Sequence, residues 1–396
     1  VAGSSLSAFT RFQDITGPTY YSGREECVND AQKTNYHTLG YLLRGQQMAD
    51  ILQGGADIRD NITLGVTRLT HSYKIGDSET YQMPQPTTTW RVPWRYWLTY
   101  LAWTDQQVEL NEGGGDLTHV FKREWWKMQQ EMWTDYFNYM EESYWAVPNK
   151  STMEAVDGQE QYSIPCFINE HTNGLAAPGT ANGGTWTTVQ NVDPTAAGKS
   201  TWVPTQQSYT QLLSTTNSAS AVAGLVSAFD KAYDKCDFQA PPMKAEYFES
   251  NMAQPQGFIA CSLQGKANAR FAYRDANDRW QDFWDPFGQP TYGGRPFVYV
   301  KQLDTAAIFP TGSAAAYSTE LDTAGTTNAG PRYFGIMPKY LRSVFKNTRF
   351  MKDLGVMTDA KTPTTHARPF DNWGNLVCRS RARHFIIYPT ADINNA

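Results

Sequence analysis

Residues 119–145 (HVFKREWWKMQQEMWTDYFNYMEESYW) run for 27 positions without Gly or Pro. Within them Phe121, Trp125, Met128, Met132, Tyr136, Tyr139 and Met140 recur at three- and four-residue spacing, which draws one apolar stripe along an α-helix. At 1.5 Å per residue such a rod is roughly 40 Å long. The NEGGGD break at residues 111–116 precedes it, Asp116 or Thr118 is placed to cap its first turn, and Pro148 closes it. A helix this long cannot bury its stripe against itself. It predicts a spine on which other elements pack.

The elements around the spine are mixed in type. The first sixty residues read as an arm that packs on something else, with a helix over residues 36–52 whose face of Leu39, Leu42, Leu43 and Met48 is weak. Over residues 61–107 the pattern turns strand-like. Ile62, Leu64 and Val66 alternate with small or polar groups, Leu69, Ser72 and Tyr73 continue the run, and Gly76-Asp77-Ser78 offers a turn. The chain returns through Thr87, Thr88, Thr89 and Trp90, while Pro84 and Pro86 argue against a central strand. This is a long hairpin-like excursion with a polar tip. An isolated hairpin has too little core of its own and lies on a neighbour.

After the spine, residues 150–205 are rich in Gly, Thr, Asn and Ala around isolated Trp186 and Trp202, predicting loops and short strands. A second helix is expected over residues 220–236, with Val222, Leu225, Val226, Phe229 and Tyr233 on one face. Strands are expected over residues 257–265, over 295–303 after the turn Tyr292-Gly293-Gly294, and over 375–389. No regular βαβ rhythm appears, so the fold class is α+β.

Charged residues are 18% and aromatics 14% of the chain. That balance suits large contact surfaces, where aromatic area is favoured and charge depleted. It suits a secreted carbohydrate-active protein equally. Five cysteines, Cys27, Cys166, Cys236, Cys261 and Cys378, have no CxxC spacing, which argues for reduced thiols in a cytosol. The opening VAGSSLSAFTRF lacks the apolar core of a signal peptide, and no apolar run approaches the roughly 18 residues of a membrane span. Net charge is −5, yet residues 332–383 hold eleven Lys+Arg against three Asp+Glu, +8 on a remainder of −13. A basic segment on an acidic body suits subunits that attract one another head to tail, an anion-facing surface, or a merely solvated face.

Catalytic signatures are missing. Gly113-Gly114-Gly115 lacks the Lys-Ser/Thr that would hold phosphate, and there is no GxSxG, HExxH or Cys/His cluster. Asp275, Asn277, Asp278, Asp282 and Asp285 come nearest to a calcium loop. Arg279, Trp280 and Pro286 occupy its fifth, sixth and twelfth positions, so the segment reads as a solvated turn. No catalytic, cofactor-binding or metal residue is assigned. Trp90, Arg91, Trp94, Arg95 and Trp97 interleave aromatics with arginine, a pattern that stacks nucleic-acid bases or packs a protein contact. Packing is favoured, because the flanking segment is acidic and the run sits just before the spine. Arg379, Arg381 and Arg383 fall on one face of the expected last strand. An intersubunit salt-bridge ladder is the first reading of that face, packaged nucleic acid the second and a solvated face the third. With Lys74, Asp77 and Glu79 near the tip of the excursion, the candidate subunit contacts are Lys74, Asp77, Glu79, Trp90, Arg91, Trp94, Arg379, Arg381 and Arg383.

Three passages resemble one family. GPRYFGIMPKYLRSVFKNTRF (residues 330–350) with the later NLVCRSRARH, and NDRWQDFWDPFGQPTYGGRPFVYVKQLDTAAIFP (residues 277–310), are similar to major capsid proteins of tailed bacteriophages with the Hong Kong 97-like fold. The order of arm, excursion and long helix agrees. The resemblance implies an N-terminal arm (1–60), an extended loop with flanking strands (61–110), the spine helix of a peripheral domain (111–150), a mainly axial domain (151–329) and a C-terminal return to the peripheral domain (330–396). It implies a non-enzymatic subunit without cofactors, assembled in the host bacterial cytoplasm and residing in the virion. The implied partners are copies of itself in pentamers and hexamers, a separate scaffolding protein, a portal, a decoration protein, and double-stranded DNA contacted non-specifically. Some relatives crosslink through a loop lysine; Lys74 is the only Lys between residues 61 and 89, and no pattern here supports that chemistry. The rival readings are a secreted carbohydrate-binding protein or glycosidase, another virion component, and a nucleic-acid-binding module.

Overall fold

The computed structural model describes residues 37–43, 49–52, 54–64, 87–106, 117–155, 158–169, 186–210, 224–236, 257–277, 291–292, 295–305, 307–309, 317–318, 331–358 and 363–390. Described parts of Leu98–Phe137 and Asp353–Phe370 make one compact unit, and those of Asn35–Trp97, Asn138–Lys352 and Asp371–Ala396 make another.

The chain begins with α1 (His37–Leu43), β1 (Ala49–Leu52), β2 (Asp57–Ile62), β3 (Thr88–Pro93), β4 (Arg95–Thr104) and α2 (Leu117–Tyr144). The spine helix is α2, 28 residues long, and Thr118 lies inside it rather than at its cap. Met132, Tyr136, Met140 and Tyr144 are buried along it. Tyr139, expected on the same stripe, is 50% exposed. At 3.6 residues per turn a four-residue step drifts the stripe by about 40°, so by Met140 it has wound away from Tyr139.

The helix expected over residues 36–52 is corrected. Among the described residues only α1 is helical, and Ala49 to Leu52 form a strand parallel to β12 (Leu341–Lys346), Ala49 opposite Ser343 and Leu52 opposite Lys346. Four residues with a weak helical face are decided by a sheet edge that offers backbone partners. β2 starts at Asp57 and pairs antiparallel with β3 from Asp57↔Pro93 to Ile62↔Thr88, so the base of the expected excursion is a paired ribbon. Val66, Leu69, Ser72, Tyr73, the 76–78 turn, Pro84 and Pro86 lie outside the described residues.

Residues 150–205 hold two single-turn helices, α3 (Lys150–Met153) and α4 (Ile164–Phe167), with Trp186 and Trp202 fully buried among the connecting loops. Further on come β5 (Thr205–Thr210), α5 (Leu225–Cys236), β6 (Phe258–Cys261), α6 (Leu263–Asn277), β7 (Thr291–Tyr292), β8 (Arg295–Tyr299) and α7 (Gln302–Thr305). β9 (Ala307–Phe309) pairs with β10 (Tyr317–Ser318), and the chain closes through β11 (Tyr333–Ile336), β12, β13 (Lys352–Asp353), β14 (Met357–Thr358), β15 (Thr365–Cys378) and β16 (Phe385–Thr390).

Among the described residues two six-stranded sheets form. In one, β1-β12-β15-β13 lie in order, with β4 and β14 also pairing with β15. The other has the order β5-β16-β11-β6-β8-β7. α5 covers the second sheet as its sequence predicts: Leu225, Phe229 and Tyr233 are buried, and Val226 packs partly buried beside them; Val222 lies outside the described residues. The Phe229 ring meets those of Tyr292, Phe297, Tyr333 and Phe385 at 4.9, 5.8, 5.2 and 6.3 Å between centroids. The strand expected to reach residue 265 stops at Cys261. Ser262 caps α6 there, its Oγ accepting from Gly265 N–H at 3.0 Å. Asp275 and Asn277, read as part of a solvated turn, belong to α6, while Asp278, Asp282 and Asp285 lie outside the described residues.

The last expected strand is also corrected. β15 ends at Cys378 in the first sheet, Arg381–Arg383 make a 3₁₀ turn, and β16 belongs to the second sheet. Each sheet has one aromatic laid over a glycine directly opposite it, Phe345 over Gly374 and Phe385 over Gly335. A Cβ on Gly374 would meet Phe345 at 2.7 Å.

Candidate subunit-contact surface

The β2–β3 ribbon divides its side chains by strand alternation. Ile58, Trp90 and Val92 are buried on one side. On the other, Arg59 stands directly opposite Arg91, a like-charge pair that destabilises a ribbon unless bridged. Asp57 bridges it, with Oδ2 at 2.7 Å from Arg59 Nη2 and 4.0 Å from Arg91 Nε. Asp60 lies 3.7 Å from Arg379 Nε, and both side chains are about half exposed. The root of the excursion thus carries two separate charged groups, Asp57 with Arg59 and Arg91 on one face of the ribbon and Asp60 with Arg379 on the face of its register partner Trp90. Exposed pairs of this kind contribute little stability, about 0–1 kcal/mol each, and keep their charge accessible to a partner.

Several expected contact residues are placed elsewhere. Trp90 and Trp94 are buried within the chain, and Trp94 Nε1 donates to the Gly55 carbonyl at 3.0 Å. Arg95, from the same run, is fully buried and donates through Nε to Glu160 O at 2.8 Å and through Nη2 to Met153 O and Ala155 O at 2.6 and 2.7 Å. Apart from the exposed Arg91, the aromatic–arginine run is therefore an internal packing device. Arg381 is fully buried too, donating to Phe167 O at 2.8 Å and Trp202 O at 2.9 Å. It leaves the proposed three-arginine face, because the 3₁₀ turn breaks the period-two alternation that would have aligned Arg379, Arg381 and Arg383. Burial brings its guanidinium down to about 10, still charged at neutral pH. Lys74, Asp77 and Glu79 lie outside the described residues.

The sequence reading missed an apolar face. Along β4, Arg95, Trp97 and Leu101 are buried while the alternate positions Tyr96, Leu98 and Tyr100 are 57%, 60% and 61% exposed. A strand apolar on both faces, RYWLTYL, was the available signal. Tyr96 packs edge-on to Trp373, centroids 4.6 Å apart, and Lys346 Nζ lies 4.3 Å from the same indole.

His366 is the described histidine nearest to a catalytic arrangement. Its Nε2 lies 2.6 Å from Asp105 Oδ1 and its Nδ1 3.2 Å from Thr358 Oγ1. Thr358 and His366 are register partners across β14 and β15, so the ladder itself sets them together. Cys166, Cys261 and Cys378 are free and buried, and burial pushes their thiols up to about 12. They stay protonated and unreactive. Among the described residues no group of three or more His, Cys, Asp or Glu side chains is placed to hold a metal, and no helix is long and apolar enough to cross a membrane.

The sequence matches no family model and no curated protein. The fold does have relatives. The capsid asymmetric unit of cyanophage A-1(L) is 10% identical, with 95% of this chain and 99% of that chain covered at a TM-score of 0.53. A capsid of the native GTA particle is 13% identical over 92% of this chain and 94% of that one, TM-score 0.46. The capsid of cyanophage P-SCSP1u is 12% identical over 94% and 92%, TM-score 0.46. The first of these likenesses carries the architecture: the chain has the α+β fold of a phage capsid subunit, the Hong Kong 97-like arrangement implied by the sequence resemblance.

Proposed function

We propose that this chain is the major capsid protein of a tailed bacteriophage, a structural subunit that self-assembles into an icosahedral shell around the genome. The observation that carries this reading is the end-to-end likeness to the cyanophage A-1(L) capsid unit, which leaves almost no part of either chain unmatched. The outward apolar face of β4 agrees with it, because Leu98 and Tyr100 there are left uncovered by the chain's own fold.

In this proposal residues 1–60 are the arm, 61–110 the extended loop, 111–150 the spine, 151–329 mainly the axial domain and 330–396 the return to the peripheral domain. The subunit is non-catalytic. It contacts copies of itself in pentamers and hexamers, a separate scaffolding protein, a portal, a decoration protein, and double-stranded DNA without sequence preference. It assembles in the bacterial cytoplasm and ends in the virion. Arg91 and Arg379, with Lys74, Asp77, Glu79 and Arg383, are the polar contact candidates, joined by the apolar positions Leu98 and Tyr100.

The test is expression in bacteria, with a scaffolding protein supplied, followed by sedimentation analysis and negative-stain microscopy. Closed shells of megadalton mass are expected. A stable monomer that never assembles, or one that hydrolyses a glycan, overturns the proposal.

A further inference from the structure

Glu141 lies on α2 one turn before its end and is fully buried. Its Oε1 accepts from Thr38 N–H at 3.0 Å and its Oε2 from Leu39 N–H at 2.6 Å, the second and third amides of α1. Trp145 Nε1 donates to Oε1 at 3.3 Å and to Thr38 Oγ1 at 3.1 Å. The start of this short helix is thus capped by a carboxylate 103 residues away in the chain. The surroundings hold the carboxylate in place. The Trp145 ring packs edge-on to Phe334 of β11 with centroids 5.2 Å apart, and the Tyr144 hydroxyl bonds to Ser343 of β12, the strand beside β1.

Among the described residues no cationic side chain pairs with Glu141. The described α1 side chains that are buried, Thr38, Leu39 and Leu42, do not titrate in water, nor does Ser343 of β12. On α2 the titratable neighbour is Tyr144, whose phenol burial pushes up and keeps neutral. Burial raises the Glu141 carboxyl to about 7, against the opposing pull of Thr38, Leu39 and Trp145.

We propose that Glu141 is a proton-sensitive clasp holding α1, the root of the N-terminal segment, against the spine helix. When α1 lifts away, water reaches the carboxyl and returns it toward its ordinary value of 4.5. The docked state therefore binds a proton more tightly than the undocked one. Its advantage is complete below pH 4.5, falls as pH rises, and is lost above about 7. Acid tightens the clasp, by up to about tenfold in the docking equilibrium per pH unit within that window. The device is independent of any partner and goes beyond the proposed shell-forming role.

Hydrogen–deuterium exchange on the full chain from pH 5 to 8, normalised for intrinsic exchange, reads the clasp directly at the Thr38 and Leu39 amides. Protection is expected to fall about tenfold per pH unit toward pH 7 and then level off. Glu141→Gln, which cannot ionise, is expected to give a flat profile. Trp145→Phe removes a donor that favours the charged form, so its profile is expected to level off at higher pH. A flat wild-type profile, or an unchanged slope in Glu141→Gln, overturns the proposal. Should Glu141→Gln fail to fold, the Trp145→Phe profile decides: an unmoved midpoint overturns it as well.

Discussion

Arg381 shows how a residue's chemistry can be legible while its role is not. As one of three arginines in alternate positions it reads as a surface charge, but the turn that carries it points it inward to the carbonyls of Phe167 and Trp202. Its charge faces carbonyl dipoles, with no carboxylate paired to it among the described residues, and removing it strands those carbonyls in the interior. Arg381→Met is expected to destabilise the chain by about 3 kcal/mol, seen as a lower urea midpoint with an unchanged slope. An unchanged midpoint would mean that the guanidinium contributes no net stability. Glu141 was illegible for the same reason. Within EESY it looks like any exposed helical acid, and only the approach of α1 makes it a buried cap.

At the scale of elements, the excursion and its root separate cleanly. The ribbon of β2 and β3 is anchored by Ile58, Trp90 and Val92, which lie outside the loop they bound. Replacing residues 65–86 by Asn-Gly, which with Leu64 makes a three-residue hairpin loop ending in Gly between Thr63 and Thr87, is expected to leave folding intact and abolish shell formation. Circular dichroism with sedimentation checks it. Loss of folding would make the excursion part of the core. The long helix was legible because its pattern persists over many turns, whereas residues 49–52 were too few for either period to declare itself. The split of residues 375–389 into β15 and β16 was illegible because both halves are good strand sequence, and nothing local says that they join different sheets.

At the scale of the whole molecule, the outward face of β4 bears on assembly. Leu98 and Tyr100 are well exposed, so introducing charge there costs the folded monomer little, within about 0.5 kcal/mol. Leu98→Asp combined with Tyr100→Asp is expected to leave the urea midpoint almost unchanged while shells fail to form in the sedimentation assay. Normal shells from this variant would remove β4 from the contact surface. Shell loss with an unchanged monomer would separate an assembly role from a folding role, which a buried position such as Trp90 cannot do.

The α+β class, the spine helix, the amphipathic α5 and the base of the excursion were set by local pattern, because periodicity and turn chemistry act over neighbouring residues. What only the tertiary structure decided was every pairing between distant segments: β1 on β12, β5 on β16, Glu141 on α1, and Arg381 among carbonyls. In each case the deciding energy is the cost of leaving a backbone or charged group unpaired once it is buried, and which groups become buried is settled only when the whole chain has closed around them.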